Sequence, residues 1–327
     1  MENLVHQLKS FSKQIGYSLA HYTPHKIPKS QISNIVIGGL GGSGIGGKIV
    51  KNYFANKIDL PVDIVSDYIF PRYINSNTLV ILSSYSGNSE ETLALFSQAK
   101  ERNSKVLVLS SGGLLEELAL KDNYPFYKAE PGLEARMALG YSLTYLLLIF
   151  FELLGQYKDV DLKKIGDSVS IADNFMAQAQ KLIAPFKDNL QNKFIVVCDP
   201  PFEGIATRLV QQIQENAKLE AFISVLPEAN HNTLATYGNK IKNNYIFLNS
   251  RSSHQTSLRF GFLKNLLVES PILELGTMDD HLSTIVTTLY SLDWLSIEIA
   301  KLTGADVESS KNVIDLKSYL KKNSTKS

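Results

Sequence analysis

The sequence predicts an α/β protein built as two similar halves, each a parallel sheet covered by helices on both faces. Three observations carry this. Short runs of branched apolar residues recur, such as Leu79-Val80-Ile81-Leu82, without the polar alternation of a half-exposed strand. Segments of helical spacing fit between them, as crossovers between parallel strands require. The pattern also stops in a polar stretch near the middle of the chain and then begins again.

In chain order, residues up to about Ala20 place Leu4, Leu8, Phe11 and Ile15 on one helical stripe. After Pro24 and Pro28, residues 32–37 form a strand running into glycine, and 62–65, 79–82 and 105–110 follow as strands, with helices between each pair. A long helix runs from about Ala138 to Gly155; its apolar run, residues 141–151, is too short to cross a membrane and is therefore buried. Polar sequence continues through Asp167, which sets a boundary near residues 154–166 and divides the chain into 1–155 and 156–327. Strands return at 194–198, 221–225, 244–248 and 271–275, and the last fifteen or so residues are polar enough to fray.

A length of 327 residues with 44% hydrophobic content supports two domains with a substantial core. The net charge of +1 offers nothing to nucleic acid or to an acidic membrane. The single cysteine, Cys198, ends an apolar strand and reads as a core thiol; alone it makes neither a disulfide within the chain nor a cysteine metal site. The N-terminal MENLVHQLKSF lacks the apolar core of a signal peptide, so a cytoplasmic protein is expected.

The stretch with the clearest chemistry is Asn77 to Phe96. A strand leads into the hydroxyl-rich loop Ser83-Ser84-Tyr85-Ser86-Gly87-Asn88-Ser89, and Glu90-Glu91-Thr92 then opens a helix. Free backbone N–H groups, the helix dipole and serine hydroxyls make an anion site. The loop holds no lysine or arginine, which suits the phosphate of a small metabolite better than a nucleotide triphosphate. The alternative is a serine turn with one N-cap.

Gly38 to Gly47, GGLGGSGIGG, follows the first strand and contains the dinucleotide fingerprint GxGxxG twice, with Asp63 in the place of a ribose acid. A run so rich in glycine matches that pattern almost by necessity. Its other reading is a backbone nest that lets a small ligand approach beside the serine loop, with Ser43 adding a hydroxyl. Glu215 lies late in a helix beginning near Gly204, and by pattern alone is a solvated helix glutamate. His231 lies in the loop PEANHN after a strand. Arg136 sits near a helix N-terminus, where the dipole disfavours a cation, and therefore serves either an anionic partner or a salt bridge to Glu134. No paired metal-ligand spacing stands out.

Taken together, GGLGGSGIGG, SSYSGNSEETL, EARMALGY, QENAK, PEANHN and a closing Leu316-Lys317 resemble the bifunctional phosphoglucose/phosphomannose isomerases. This family of the sugar isomerase (SIS) superfamily is built from two flavodoxin-like SIS domains. The resemblance spans nearly the whole chain and keeps the motifs in order. It implies an aldose–ketose isomerase of hexose 6-phosphates, working through ring opening and a cis-enediol, with no metal or cofactor. It also implies a homodimer whose site is shared between subunits. By similarity Ser43, Ser84, Ser86 and Ser89 hold the phosphate and Gly42 lets the backbone close in. Glu215 matches the general base, whose pKa partial burial should raise. His231 matches a ring-opening histidine given by the partner subunit, Arg136 the cation that stabilises the enediolate, and Lys317 a lysine that assists ring opening. The family usually has threonine where Ser89 stands, and an Asp-Pro step near the C-terminus that is missing here; Lys311 rivals Lys317, and Ser310 takes the place of a hydroxyl linked to the mannose epimer. A non-catalytic sugar-phosphate sensor is the competing reading; the chain has no helix-turn-helix segment to spare for one.

Overall fold

The computed structural model describes residues 1–158, 160–237, 242–276, 281–307 and 311–323. Strands β1 (Asn34–Gly38), β2 (Val62–Val65), β3 (Thr78–Ser83), β4 (Lys105–Ser110) and β5 (Phe126–Lys128) form one sheet in the order β2-β1-β3-β4-β5, every pair parallel. Strands β6 (Phe194–Cys198), β7 (Ala221–Val225), β8 (Asn244–Asn249) and β9 (Ile272–Gly276) form a second parallel sheet in the order β7-β6-β8-β9. Both wind the same way, with the first strand between the second and third. Strand order reverses there, which opens a crevice at the carboxyl ends of the strands. Every residue of β1 and β3 is buried, which is why their sequences are apolar without alternation.

The first sheet is covered by α3 (Gly41–Phe54), α4 (Glu90–Glu101), α5 (Gly113–Lys121) and α6 (Leu139–Leu153). The apolar run of α6 is buried as expected. One expectation fails here, and one strand goes unforeseen. Between β2 and β3 the chain crosses without a helix, pinned by buried Phe70 and Ile74. And β5, three residues long with only Tyr127 buried, is too short to show periodicity. The N-terminal helix is two, α1 (Glu2–Lys9) and α2 (Phe11–His21), broken at Ser10, whose hydroxyl donates to the Gln7 carbonyl at 2.7 Å.

The polar stretch after α6 is not a bare connection. It holds α7 (Leu162–Ser168), which sits on α2 with the Ser12 hydroxyl donating to the Gly166 carbonyl at 2.8 Å. It also holds α8 (Ala172–Leu182), whose Phe175 ring packs on Tyr290 at 4.8 Å. The second sheet carries α9 (Glu203–Gln212), α10 (His254–Leu266) and α11 (Leu282–Thr303), the last almost wholly buried around Trp294. One apolar cluster runs through both sheets. Residues near the C-terminus expected to fray instead form α12 (Lys311–Asn323), whose described side chains are exposed. Cys198 is buried, and burial pushes its thiol well above the usual range. No helix among the described residues is long and apolar enough to cross a membrane.

The halves meet closely where α9 crosses α3. A Cβ on Gly204 would lie 2.8 Å from the Ile49 nitrogen, and the Gly204 N–H donates to Asn52 Oδ1 at 2.9 Å. Gly204→Ala should therefore cost about 1–3 kcal/mol in urea denaturation by forcing the helices apart. Gly16→Ala, on an exposed position of α2 with nothing within 4 Å, should instead stabilise by about 1 kcal/mol. Equal effects would contradict this packing.

Candidate active site

Helix α3 and the serine loop leave the carboxyl ends of the adjacent strands β1 and β3, so the two lie side by side. Ser89 occupies the N-cap position of α4, yet its side chain makes no cap hydrogen bond; its hydroxyl instead lies 3.0 Å from that of buried Ser84. The turn is thus more than a capped helix start, since the first-turn N–H groups of α4 remain open to a ligand. The Ser86 hydroxyl accepts from the Asn88 N–H at 3.3 Å, and the Ser43 hydroxyl accepts from the Tyr85 N–H at 2.9 Å, tying the two loops together.

The glycine run serves close approach. A Cβ on Gly42 would come 2.8 Å from the Ala135 carbonyl oxygen and 3.2 Å from the Arg136 Cα. The start of α3 therefore rests on the short turn Ala135–Met137 that carries Arg136. Asp63, the would-be ribose acid, instead accepts from the Tyr73 hydroxyl at 2.5 Å and lies 3.8 Å from Lys51.

Glu215 arrives from the other half. Beyond α9 the chain widens into a π-helical turn, Ile213–Ala217, which closes on Lys218 in the left-handed region at φ 57°. Such turns re-aim a side chain, and this one sends Glu215 toward Arg136. Glu215 Oε2 lies 3.6 Å from Arg136 Nη1, and Glu134 Oε2 lies 3.6 Å from the same nitrogen. The salt bridge to Glu134 is therefore present, and Glu215 adds a second carboxylate beside the same nitrogen. The Arg136 side chain is buried; its Nε donates to Asn216 Oδ1 at 3.2 Å and its Nη2 to the Val307 carbonyl at 2.9 Å. The Glu215 side chain is 45% exposed, so the burial expected of it is not there: the π turn faces it into an open cleft.

That cleft is lined by Arg136, Glu215, Lys218 and the first turn of α12, including Lys311. Lys311 thus lies, with Lys218, in the cleft that holds Arg136 and Glu215. Lys317 lies farther along α12 with its side chain outside the described residues, as does Ser310 altogether. His231 is not brought in. It ends the exposed turn Glu228–His231 beyond β7, and Asn230 of that turn accepts from Arg259 of α10 at 3.0 Å. Among the described residues no group of three or more His, Cys, Asp or Glu is placed to hold a metal.

Residue reasoning missed Asn216, Arg208, Asp293 and Ser296. Arg208 and Asp293 are 2% and 1% exposed and form a two-bond ion pair, 3.0 Å in each bond. The available signal was Asp293 itself, a carboxylate inside the apolar run LYSLDWLSI.

A doubly wound fold carrying a hydroxyl-rich loop and an Arg–Glu cleft is that of a two-domain SIS protein. Residues 30–131 match the SIS domain family, and residues 178–320 match the family described as bacterial phospho-glucose isomerase C-terminal SIS domain. A bifunctional phosphoglucose/phosphomannose isomerase of Caldicellulosiruptor bescii is 31% identical over 94% of this chain and 95% of its own. Its counterpart in Aquifex aeolicus is 30% identical over 98% and 99%. A D-glucosamine-6-phosphate 4-epimerase of Sulfolobus acidocaldarius is 35% identical over 64% of this chain and 65% of its own. The solved C-terminal domain of a glucosamine-fructose-6-phosphate aminotransferase from Francisella tularensis shares the fold, with a TM-score of 0.74 at 17% identity over 93% of this chain and 97% of that one. The chain belongs to the bifunctional phosphoglucose/phosphomannose isomerase family.

Gly42→Ala should push the Ala135–Arg136 turn away from α3, lowering stability by about 1–3 kcal/mol and weakening the rise in Tm given by inorganic phosphate. An unchanged Tm and an unchanged phosphate response would contradict the close approach.

Proposed function

We propose that this protein interconverts glucose 6-phosphate and mannose 6-phosphate with fructose 6-phosphate. The observation that carries the proposal is the Arg136–Glu215 pair, 3.6 Å apart across the two halves, beside a loop of neutral anion donors. Ser43, Ser84, Ser86 and Ser89 with the α4 amides hold the phosphate, and Gly42 leaves room for the backbone to close in. This sets C1 and C2 of the opened sugar over Glu215. The carboxylate takes the C2 proton, the electron pair moves onto the C1 carbonyl oxygen, and Arg136 faces the charge of the resulting cis-enediolate. A proton passes from O2 to O1, and returning the C2 proton to C1 then leaves the C2 carbonyl and C1 hydroxyl of the ketose. The enediol has no configuration at C2, so both aldose epimers reach the same intermediate, and the face on which C2 is reprotonated decides between them. No step as drawn needs a metal.

The cleft of one chain has no histidine among its described lining residues, whereas His231 stands exposed next to Asn230, which lines a surface hollow with Leu258 and Phe262, large apolar side chains that α10 leaves to solvent. We place a second copy there, so that His231 serves the partner's cleft in ring opening. A lysine of α12 assists, Lys317 by family likeness or Lys311 by its position in the cleft. We divide the chain at 155/156, with α7 packing back on α2 as a shared seam, and place the protein in the cytoplasm, where charged hexose phosphates enter glycolysis and gluconeogenesis.

Purified protein given fructose 6-phosphate in EDTA should form both aldoses in coupled assays. Glu215→Gln should lose about 10²–10⁴-fold in kcat. Turnover of glucosamine 6-phosphate alone would favour the epimerase likeness, and a Tm rise with hexose phosphate but no turnover would favour a sensor. Mixing inactive Glu215→Gln and His231→Asn subunits should restore about a quarter of the activity, because half the dimers then hold one intact shared site. No recovery would place His231 within its own chain's site.

A further inference from the structure

Resting on the isomerase reading, we propose that Asp293 and Ser296 of α11, acting through Arg208 and Asn216, are positioning residues that set Arg136 against Glu215. The two helix residues are three apart and so share one face of α11. From that face, two chains of hydrogen bonds reach the same arginine at opposite ends. In the first, the Asp293 carboxylate takes Nε and Nη2 of Arg208 at 3.0 Å each, and Arg208 Nη2 also donates to the main-chain carbonyl of Arg136 at 2.5 Å. In the second, Ser296 donates to the Asp293 carbonyl at 2.7 Å and accepts from Asn216 Nδ2 at 2.9 Å. Asn216 Oδ1 then accepts from Arg136 Nε at 3.2 Å. One chain fixes where the Arg136 backbone sits, and the other fixes where its guanidinium points.

The second chain does more than hold the arginine. Asn216 follows Glu215 in the π turn, so the side chain that orients the cation also pins the turn that presents the base. The spacing of cation and base is then referred to a single rigid helix, although Arg136 comes from one half of the chain and Glu215 from the other. All of the intermediaries are buried: Arg208, Asn216, Asp293 and Ser296 are each at most 2% exposed. A buried ion pair is a poor device for stability alone, since apolar side chains of similar volume replace such pairs at little cost. What this pair does that leucine and methionine would not is donate a further hydrogen bond to the Arg136 carbonyl.

The test uses the full-length chain with Ser296→Ala, Ser296→Thr and the double variant Asp293→Leu/Arg208→Met, which leaves no buried charge unpaired. For each, kcat and KM on fructose 6-phosphate are measured together with Tm and the Tm rise given by inorganic phosphate. The proposal expects Ser296→Ala and the double variant to lose about tenfold or more in kcat, with KM and the phosphate response near wild type. Ser296→Thr, which keeps the hydroxyl, should recover most of the rate. A lowered Tm with wild-type kcat in the folded protein would reduce the four residues to structural support and overturn the proposal while leaving the isomerase reading intact. An inactive wild type would overturn that reading, and this assignment with it.

Discussion

The guanidinium of Arg136 is the group on which the arrangement of the two halves depends. It starts from a turn of the first half, yet its fork is taken up by Asn216, the Val307 carbonyl and Glu215, all of the second. Removing such a cation from water costs several kcal/mol unless hydrogen bonds and opposite charge replace its hydration. Here they do so only while both sheets keep their present spacing. The close contacts of Gly42 with the Ala135–Arg136 turn and of Gly204 with Ile49 hold the backbones of the two halves near one another. A planar, always-charged side chain with donors in a fixed fork suits this post better than lysine would.

The two sheets wind alike but are not equivalent at their carboxyl ends. By strand register, Leu82 lies opposite Gly38 and Leu248 opposite Cys198, so Ser250 stands in the second sheet where Ser84 stands in the first, and Asp199 stands in the place of Gly39. In the first half that position is glycine, and among the described residues the Ser84 hydroxyl meets another hydroxyl, that of Ser89. In the second half the buried Asp199 carboxylate accepts from both the N–H and the hydroxyl of Ser250. Its carboxyl is pushed up by burial and drawn back down by those bonds. An internal carboxylate thus occupies the donors that a ligand's phosphate would use. In the proposed reaction one half keeps an anion site, and the other contributes Glu215 instead.

Much of this was legible in the sequence, for physical reasons. Strands buried on both faces must be apolar throughout, so β1, β3, β6 and β8 were readable residue by residue, and the hydroxyl loop between a strand and a helix start declared its chemistry. Periodicity fails below about one helical turn or a few strand residues, which hid β5 and the irregular crossing from β2 to β3. It also passed over α7 and α8, whose sequences are polar because only a narrow stripe of each is buried. The site itself was readable only as scattered motifs. That Glu215 leaves a π turn and that Arg136 is reached from α11 are facts of tertiary contact; a buried carboxylate in an apolar helix, Asp293, was a local sign. The burial expected of Glu215 was wrong because a helix glutamate's exposure depends on the turn that ends its helix.

In the proposed reaction a carboxylate carries one proton between C1 and C2 through an enediol. The most direct measurement follows glucose 6-phosphate bearing deuterium at C2 as it is converted in ordinary water. The account predicts a slowed reaction, with part of the label at C1 of fructose 6-phosphate and part lost to solvent while it rides on Glu215. Complete retention of deuterium at C1, with no exchange under any turnover condition, would mean a direct hydride shift and would contradict it.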